Sequence, residues 1–310
     1  MRRNLILLMP ILSVLNGVDI AIGGLTVRFD HLFGVFLFFI VLYQAILLNK
    51  IYSSKQDIFL ILLWLLSIIV SFSSAPDVKY SLVQSINLIT VGFSYFVITN
   101  LITTRQALKK FVVISLNTAT IISILATVLF IISMLIKKPL FGINIEQTET
   151  VPFGIYFTTK EPNIYGSYML ANFITVFVLY FEKANISLGI SNRRAKYILF
   201  STGIGVLLSF TRSVWISLFI CILIFNFKSI SKLYKNLPKL GFIILGLIVF
   251  YYVATNVLGI TFLKYKIDNL FSADSGTGEG RVLIWITALD NWVQQKNYLT
   301  GNGTYSFASF

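Results

Sequence analysis

About nine apolar runs, separated by short polar gaps, decide what this chain can fold into. A helix that crosses a bilayer needs about 20 predominantly apolar residues. Runs of that kind lie near Leu5–Gly23, Phe29–Leu48, Ile58–Ser74, Leu82–Leu101, Phe111–Ile136, Pro162–Phe181, Ala195–Phe210, Ser213–Phe227 and Leu240–Leu258. Pro10, Asn16, Gly17 and Asp19 interrupt the first. Charged residues make up 12% of the chain, against about 25% in a soluble domain. Too little polar surface exists to face water all round, so lipid is the solvent. The expected architecture is all-α: a polytopic membrane helix bundle over 1–258, then an extracytoplasmic loop with short helices over 259–310.

The opening "MRRNLILLMPILSVL" has the two arginines and apolar run of a signal peptide. No small-residue cleavage site follows, so it reads as a retained first helix. Orientation follows from Lys and Arg, which collect in cytoplasmic loops. With the N-terminus inside, Arg2 and Arg3 fall inside, as do Lys50, Lys55, Arg105, Lys109, Lys110, Lys183, Arg193, Arg194 and Lys196. Lys228, Lys232, Lys235 and Lys239 join them. The stretch 259–310 then lies outside. The net charge of +13 is spread over these gaps and forms no continuous basic face, which argues against a nucleic-acid partner. Cys221 and His31 are the single cysteine and histidine. They allow no internal disulfide and no zinc site, and no metal or cofactor is expected.

Two arginines stand out. Lys196 and Lys228 bracket about 31 residues, or about 46 Å as one helix, which is too long for a hydrocarbon core of about 30 Å. Two short helices turning at Thr211-Arg212-Ser213 fit instead. Arg212 would then sit a few ångströms below the outer boundary, where an arginine is costly. It either snorkels to the interface or faces outward as an anion site.

Arg281 follows the glycine-rich "SGTGEG" and opens a helical pattern in which Trp285, Leu289 and Trp292 share a face, widened by Ile286 and Val293. This is a short amphipathic helix suited to the interface. A cation in the first turn runs against the helix dipole. It either pairs with Asp274 or Glu279, or joins free backbone N–H groups in holding a phosphate.

Taken together, "GEGRVLIW" with "YLTGNGTYSF", "LLSFTRSVWIS" and "TKEPNIYGSYML" resemble, in order, the motifs of the O-antigen ligase and polymerase family of membrane glycosyltransferases. The resemblance covers about Lys160 to Phe310. It departs at Thr211, where a serine is common. It implies a GT-C-like, metal-independent inverting enzyme of the bacterial cytoplasmic membrane. Such an enzyme moves a glycan from a polyprenyl diphosphate carrier to an acceptor sugar in surface polysaccharide synthesis. On that resemblance Arg212 and Arg281 stabilise the diphosphate leaving group. Lys160, Glu161, Asn163, Gly280, Trp285, Gly301 and Gly303 carry over as substrate-binding positions.

Family members place a histidine further along the outer loop as candidate base, and this chain has none after His31. The expectation is that the loop continues past Phe310 and that the base lies there. Glu161 is the spare base, against its reading as an ordinary helix-start acid. The Ile-, Asn-, Lys- and Phe-rich composition favours polymerase over ligase, with other polysaccharide-assembly membrane proteins as partners. A lipid-linked oligosaccharide flippase or other transporter is the alternative, although no internal repeat of the kind transporters show is present.

Overall fold

The structure is a computed structural model that describes residues 5–14, 19–22, 25–73, 78–145, 154–159 and 161–227. Beyond those it describes 245, 249, 252, 255, 286–287, 289–290 and 293–294. The chain is mostly helical. A 3-10 turn at Ile6–Leu8 leads into α1 (Met9–Leu12), then an antiparallel hairpin of β1 (Asp19–Ile22) and β2 (Leu25–Arg28). Long helices follow: α2 (Phe29–Leu48), α3 (Lys55–Ser73), α4 (Val78–Leu101) and α5 (Arg105–Ile136). A second hairpin, β3 (Ile143–Asn144) with β4 (Gly154–Ile155), precedes α6 (Pro162–Phe181). A 3-10 turn at Ile186–Leu188, α7 (Asn192–Leu208) and α8 (Arg212–Phe227) follow.

Among the described residues, three helices are long and apolar enough to cross a membrane: α3 over Lys55–Phe72, all of α5, and all of α6. Leu32–Leu48, Leu88–Leu101 and Arg212–Phe225 are apolar but shorter. The described residues thus carry fewer span-length helices than the nine expected; the run Leu240–Leu258, apart from 245, 249, 252 and 255, and the boundary at 258/259 lie outside them. The first expected span, Leu5–Gly23, is not one helix. Its described helical part runs to Val14, and Asp19 already belongs to a strand whose register sets it opposite Arg28. The interrupting Asn16, Gly17 and Asp19 are weak helix formers.

Contacts divide the chain into two units, Met1–Phe33 with Thr104–Phe250, and Gly34–Thr103 with Tyr251–Phe310. In the first, α5 lies parallel to α7 and antiparallel to α6. Polar side chains fix that register. Ser115 Oγ donates to Asn172 Oδ1 (2.8 Å), Ser123 Oγ to the Ser201 carbonyl (2.6 Å), and Arg194 Nη2 to Asn117 Oδ1 (2.9 Å). In lipid the apolar effect gives helices little reason to associate, so small residues and interhelical hydrogen bonds do that work. Gly205 marks a close approach: a Cβ there would lie 2.8 Å from Ser123 Oγ and 3.0 Å from Met169 Cγ. Near the start of α7, buried Leu116, Val176, Ile190, Ala195 and Ile198 form an apolar cluster.

The N-terminal segment packs on α5 and is tied by hydrogen bonds to α6 and to the segment before it. Tyr168 Oη donates to the Pro10 carbonyl (3.3 Å) and Thr158 Oγ1 to the Val14 carbonyl (2.8 Å). It therefore rises toward the end of α6 that carries Glu161.

In the second unit, Ser54 and Asp57 form a capping box at the start of α3. Ser54 N donates to Asp57 Oδ2 (3.0 Å) and Asp57 N to Ser54 Oγ (3.1 Å), satisfying donors the helix leaves open. Tyr95 Oη on α4 donates to the other Asp57 oxygen at 2.9 Å. Nearby, Asn100 Oδ1 accepts from Tyr52 N and Ser53 N, while its Nδ2 donates to Ser53 Oγ and the Phe96 carbonyl. Phe38 stacks on Phe93 with centroids 4.1 Å apart, and Gly92 makes room for the Trp64 ring.

Candidate functional site

Two of the three sequence motifs meet in the first unit. The chain enters α6 through Thr159, whose Oγ1 donates to the carbonyls of Tyr156 and Glu161. Glu161 is the N-cap with extended backbone (φ −142°, ψ 147°), and Pro162 takes the first helical position, where its missing N–H costs nothing. The Glu161 side chain makes no capping bond. Both Glu161 and Asn163 are exposed.

The other motif forms the turn between α7 and α8. Ser209 Oγ donates to the Val206 carbonyl (2.7 Å), and Thr211 Oγ1 to the Ser209 carbonyl (3.2 Å). Trp215 reaches back across the turn, its Nε1 donating to Val206 O at 3.1 Å. Phe210 has φ +50°, a left-handed value that a bulky residue adopts only when its surroundings hold it there. Its ring lies between Phe130 and Trp215, with centroids 5.9 and 6.2 Å away.

Two glycines let the motifs touch. A Cβ on Gly166 of α6 would lie 2.7 Å from Ser209 Oγ and 3.0 Å from Val214 Cγ2. Gly154 of β4, at φ +136°, comes so near the Ser209 carbonyl that a Cβ would sit 2.7 Å from its oxygen. Backbone that must pass this close needs glycine. The β3–β4 hairpin thus lies on the turn at Gly154, and its paired Ile143 and Ile155 are fully buried.

Arg212 is the first residue of α8 and is half-buried. Among the described residues no hydrogen bond or ion pair engages its guanidinium. Along the same helix face, at offsets of four, seven, eight and twelve residues, lie Ile216, Phe219, Ile220 and Ile224, each between 47% and 61% exposed. A cation at the head of an exposed apolar stripe is an arrangement that a phosphorylated lipid matches, phosphate to guanidinium and chain to stripe.

Arg281, Gly280, Trp285, Gly301, Gly303 and Lys160 lie outside the described residues. Of the expected terminal helix, Ile286, Thr287, Leu289, Asp290, Val293 and Gln294 are helical. His31 falls in α2, with its side chain outside what is described. Gly154, Gly166, Ser209 and Phe210 were not singled out from the sequence. A glycine inside an apolar membrane run was the one available signal for Gly166.

No protein-family model, curated protein or solved structure matches this chain.

Proposed function

We propose that this chain is a membrane glycosyltransferase that takes a glycan from a polyprenyl diphosphate carrier and joins it to an acceptor sugar hydroxyl. The observation that carries this reading is Arg212. It stands at the turn of a short helix pair, unpaired among the described residues, above an apolar stripe on its own helix. The packing of Gly166 and Gly154 on Ser209 supports it, because it ties the motif of Glu161 and Asn163 to the motif of Arg212.

In the proposed reaction the acceptor oxygen attacks the anomeric carbon, the bond from that carbon to the diphosphate oxygen breaks, and a base takes the hydroxyl proton. Negative charge gathers on the departing diphosphate. A forked guanidinium fixed in a poorly hydrated site stabilises that charge more in the transition state than in the ground state. Arg212 takes this role, with Arg281 as its proposed partner, and Lys160, Glu161, Asn163, Gly280, Trp285, Gly301 and Gly303 as proposed contacts to donor or acceptor. The reaction face is the extracytoplasmic side of a bacterial cytoplasmic membrane, with surface polysaccharide as product and polymerisation preferred over ligation.

The test is to incubate the reconstituted chain with a labelled polyprenyl-diphosphate oligosaccharide. Longer glycans together with released carrier diphosphate support the reading. Movement of the label across the bilayer without new linkages would instead make the chain a flippase.

A further inference from the structure

The far end of the α7–α8 hairpin from Arg212 carries a second cationic feature that glycan transfer does not use. We propose that the start of α7 is a seat for an anionic phospholipid of the surrounding bilayer. Three cations lie close together there, Arg193, Arg194 and Lys196. Arg194 is engaged by Asn117 on α5 and ties the two helices. Arg193 and Lys196 are exposed, and neither pairs with an acid among the described residues.

These two lie on the helix face that also carries Tyr197, four residues beyond Arg193. The Arg193 guanidinium carbon lies 5.9 Å from the Tyr197 ring centroid, within cation–π range, which holds the guanidinium over the ring. Tyr197 is 60% exposed, and Phe200, one turn deeper, is 71% exposed. Charge, amphipathic ring and apolar ring thus descend in the order in which a phospholipid presents phosphate, glycerol ester and acyl chain.

The height is right as well. Aromatic side chains gather at membrane interfaces. The adjacent ends of α6 and α8 bring Phe177 and Phe181 against Phe225, with centroids 5.2 and 6.1 Å apart. The seat therefore lies at the rim of the helix bundle, and its occupant is a lipid whose headgroup carries net negative charge, such as phosphatidylglycerol. The inference needs only that the helices sit in a bilayer and stands apart from the glycan reading.

The purified full chain in mild detergent is offered palmitoyl-oleoyl phosphatidylglycerol or the phosphatidylcholine of the same chains, and bound lipid is counted by native mass spectrometry. Wild-type protein should hold phosphatidylglycerol at least tenfold more tightly than phosphatidylcholine. Removing both cations in an Arg193→Gln/Lys196→Gln variant should weaken that binding by about thirtyfold, the worth of two cations at an anionic surface. An Arg105→Gln/Lys110→Gln variant, which removes the same charge from α5, should bind as wild type does. Equal binding of the two lipids, a loss below threefold in the first variant, or an equal loss in the second would each overturn the proposal.

Discussion

Gly166 on α6 and Ser209 at the end of α7 touch so closely that a methyl group on Gly166 would lie 2.7 Å from the Ser209 hydroxyl oxygen and 2.9 Å from its Cβ. Ser209 is fully buried and bonded to Val206 O, so it has nowhere to turn. An alanine at Gly166 therefore moves the backbone of the turn that presents Arg212. Overpacking of this kind costs about 1–3 kcal/mol. Gly166→Ala should lower both thermal stability in detergent and glycan transfer. Adding Ser209→Gly should restore part of each, and no recovery in the double variant would mean the contact does not govern the turn.

Arg212 is the sharpest test of the proposed chemistry. Arg212→Ala should cut transfer at least a hundredfold, the usual cost of losing one donor to a developing oxyanion, while membrane insertion stays intact. Arg212→Lys should recover little, because the fork is lost although the charge remains. Arg281→Ala and Arg281→Lys should behave alike if the two guanidinium groups share one diphosphate. Full activity in either lysine variant, measured with labelled lipid-linked donor, would show that charge alone suffices.

How far the sequence carries this picture depends on the distance between the residues involved. Periodicity and length located α2 at Phe29–Leu48 and α6 at Pro162–Phe181, because a membrane helix leaves its mark on contiguous residues. Length also predicted that the stretch between Lys196 and Lys228 must turn near Arg212, since one helix would overshoot the bilayer. The hairpin at Asp19–Arg28 was missed because hydropathy counts apolar residues without asking how the backbone pairs. The contacts of Gly154, Gly166 and Ser209 were missed for a different reason. They depend on how α6 and the β3–β4 hairpin are rotated against the end of α7, and no local pattern encodes that rotation.

Gly205 and Gly203 sit two residues apart on α7 and should respond differently to alanine. At Gly205 the new Cβ would meet Ser123 Oγ at 2.8 Å, Met169 Cγ at 3.0 Å and Tyr165 Oη at 3.1 Å. At Gly203 it would meet only the Phe173 ring, at 3.2 Å. Gly205→Ala should lower the midpoint of thermal aggregation by several degrees, following an overpacking cost of about 1–3 kcal/mol. Gly203→Ala should leave it nearly unchanged or raise it, since alanine is the better helix former.

Asn100 should matter to stability well away from the candidate site. It is buried, and its side chain joins Tyr52 and Ser53 of the α2–α3 connection to Phe96 of its own helix. Leucine fills the volume but leaves those donors and acceptors open, at about 1–3 kcal/mol for each buried group left unsatisfied. Asn100→Leu should shorten the half-life at a fixed elevated temperature. Any loss of glycan transfer should track the loss of folded protein, which separates it from the Arg212 variants.

Glu161 decides where the base lies. A general base must be held within hydrogen-bond reach of the proton it takes. Glu161 is exposed and its carboxylate makes no capping bond, so no bond among the described residues fixes its position. Its location at the start of α6 is the place where a helix favours a negative charge in any protein. Glu161→Gln should therefore change the transfer rate by less than tenfold. A fall of about 10²–10⁴-fold, the usual effect of losing a general base, would make Glu161 the base. Measuring both variants at Glu161, Gln and Asp, separates the two cases, because a true base retains partial activity as Asp and a dipole-favouring acid is indifferent to the change.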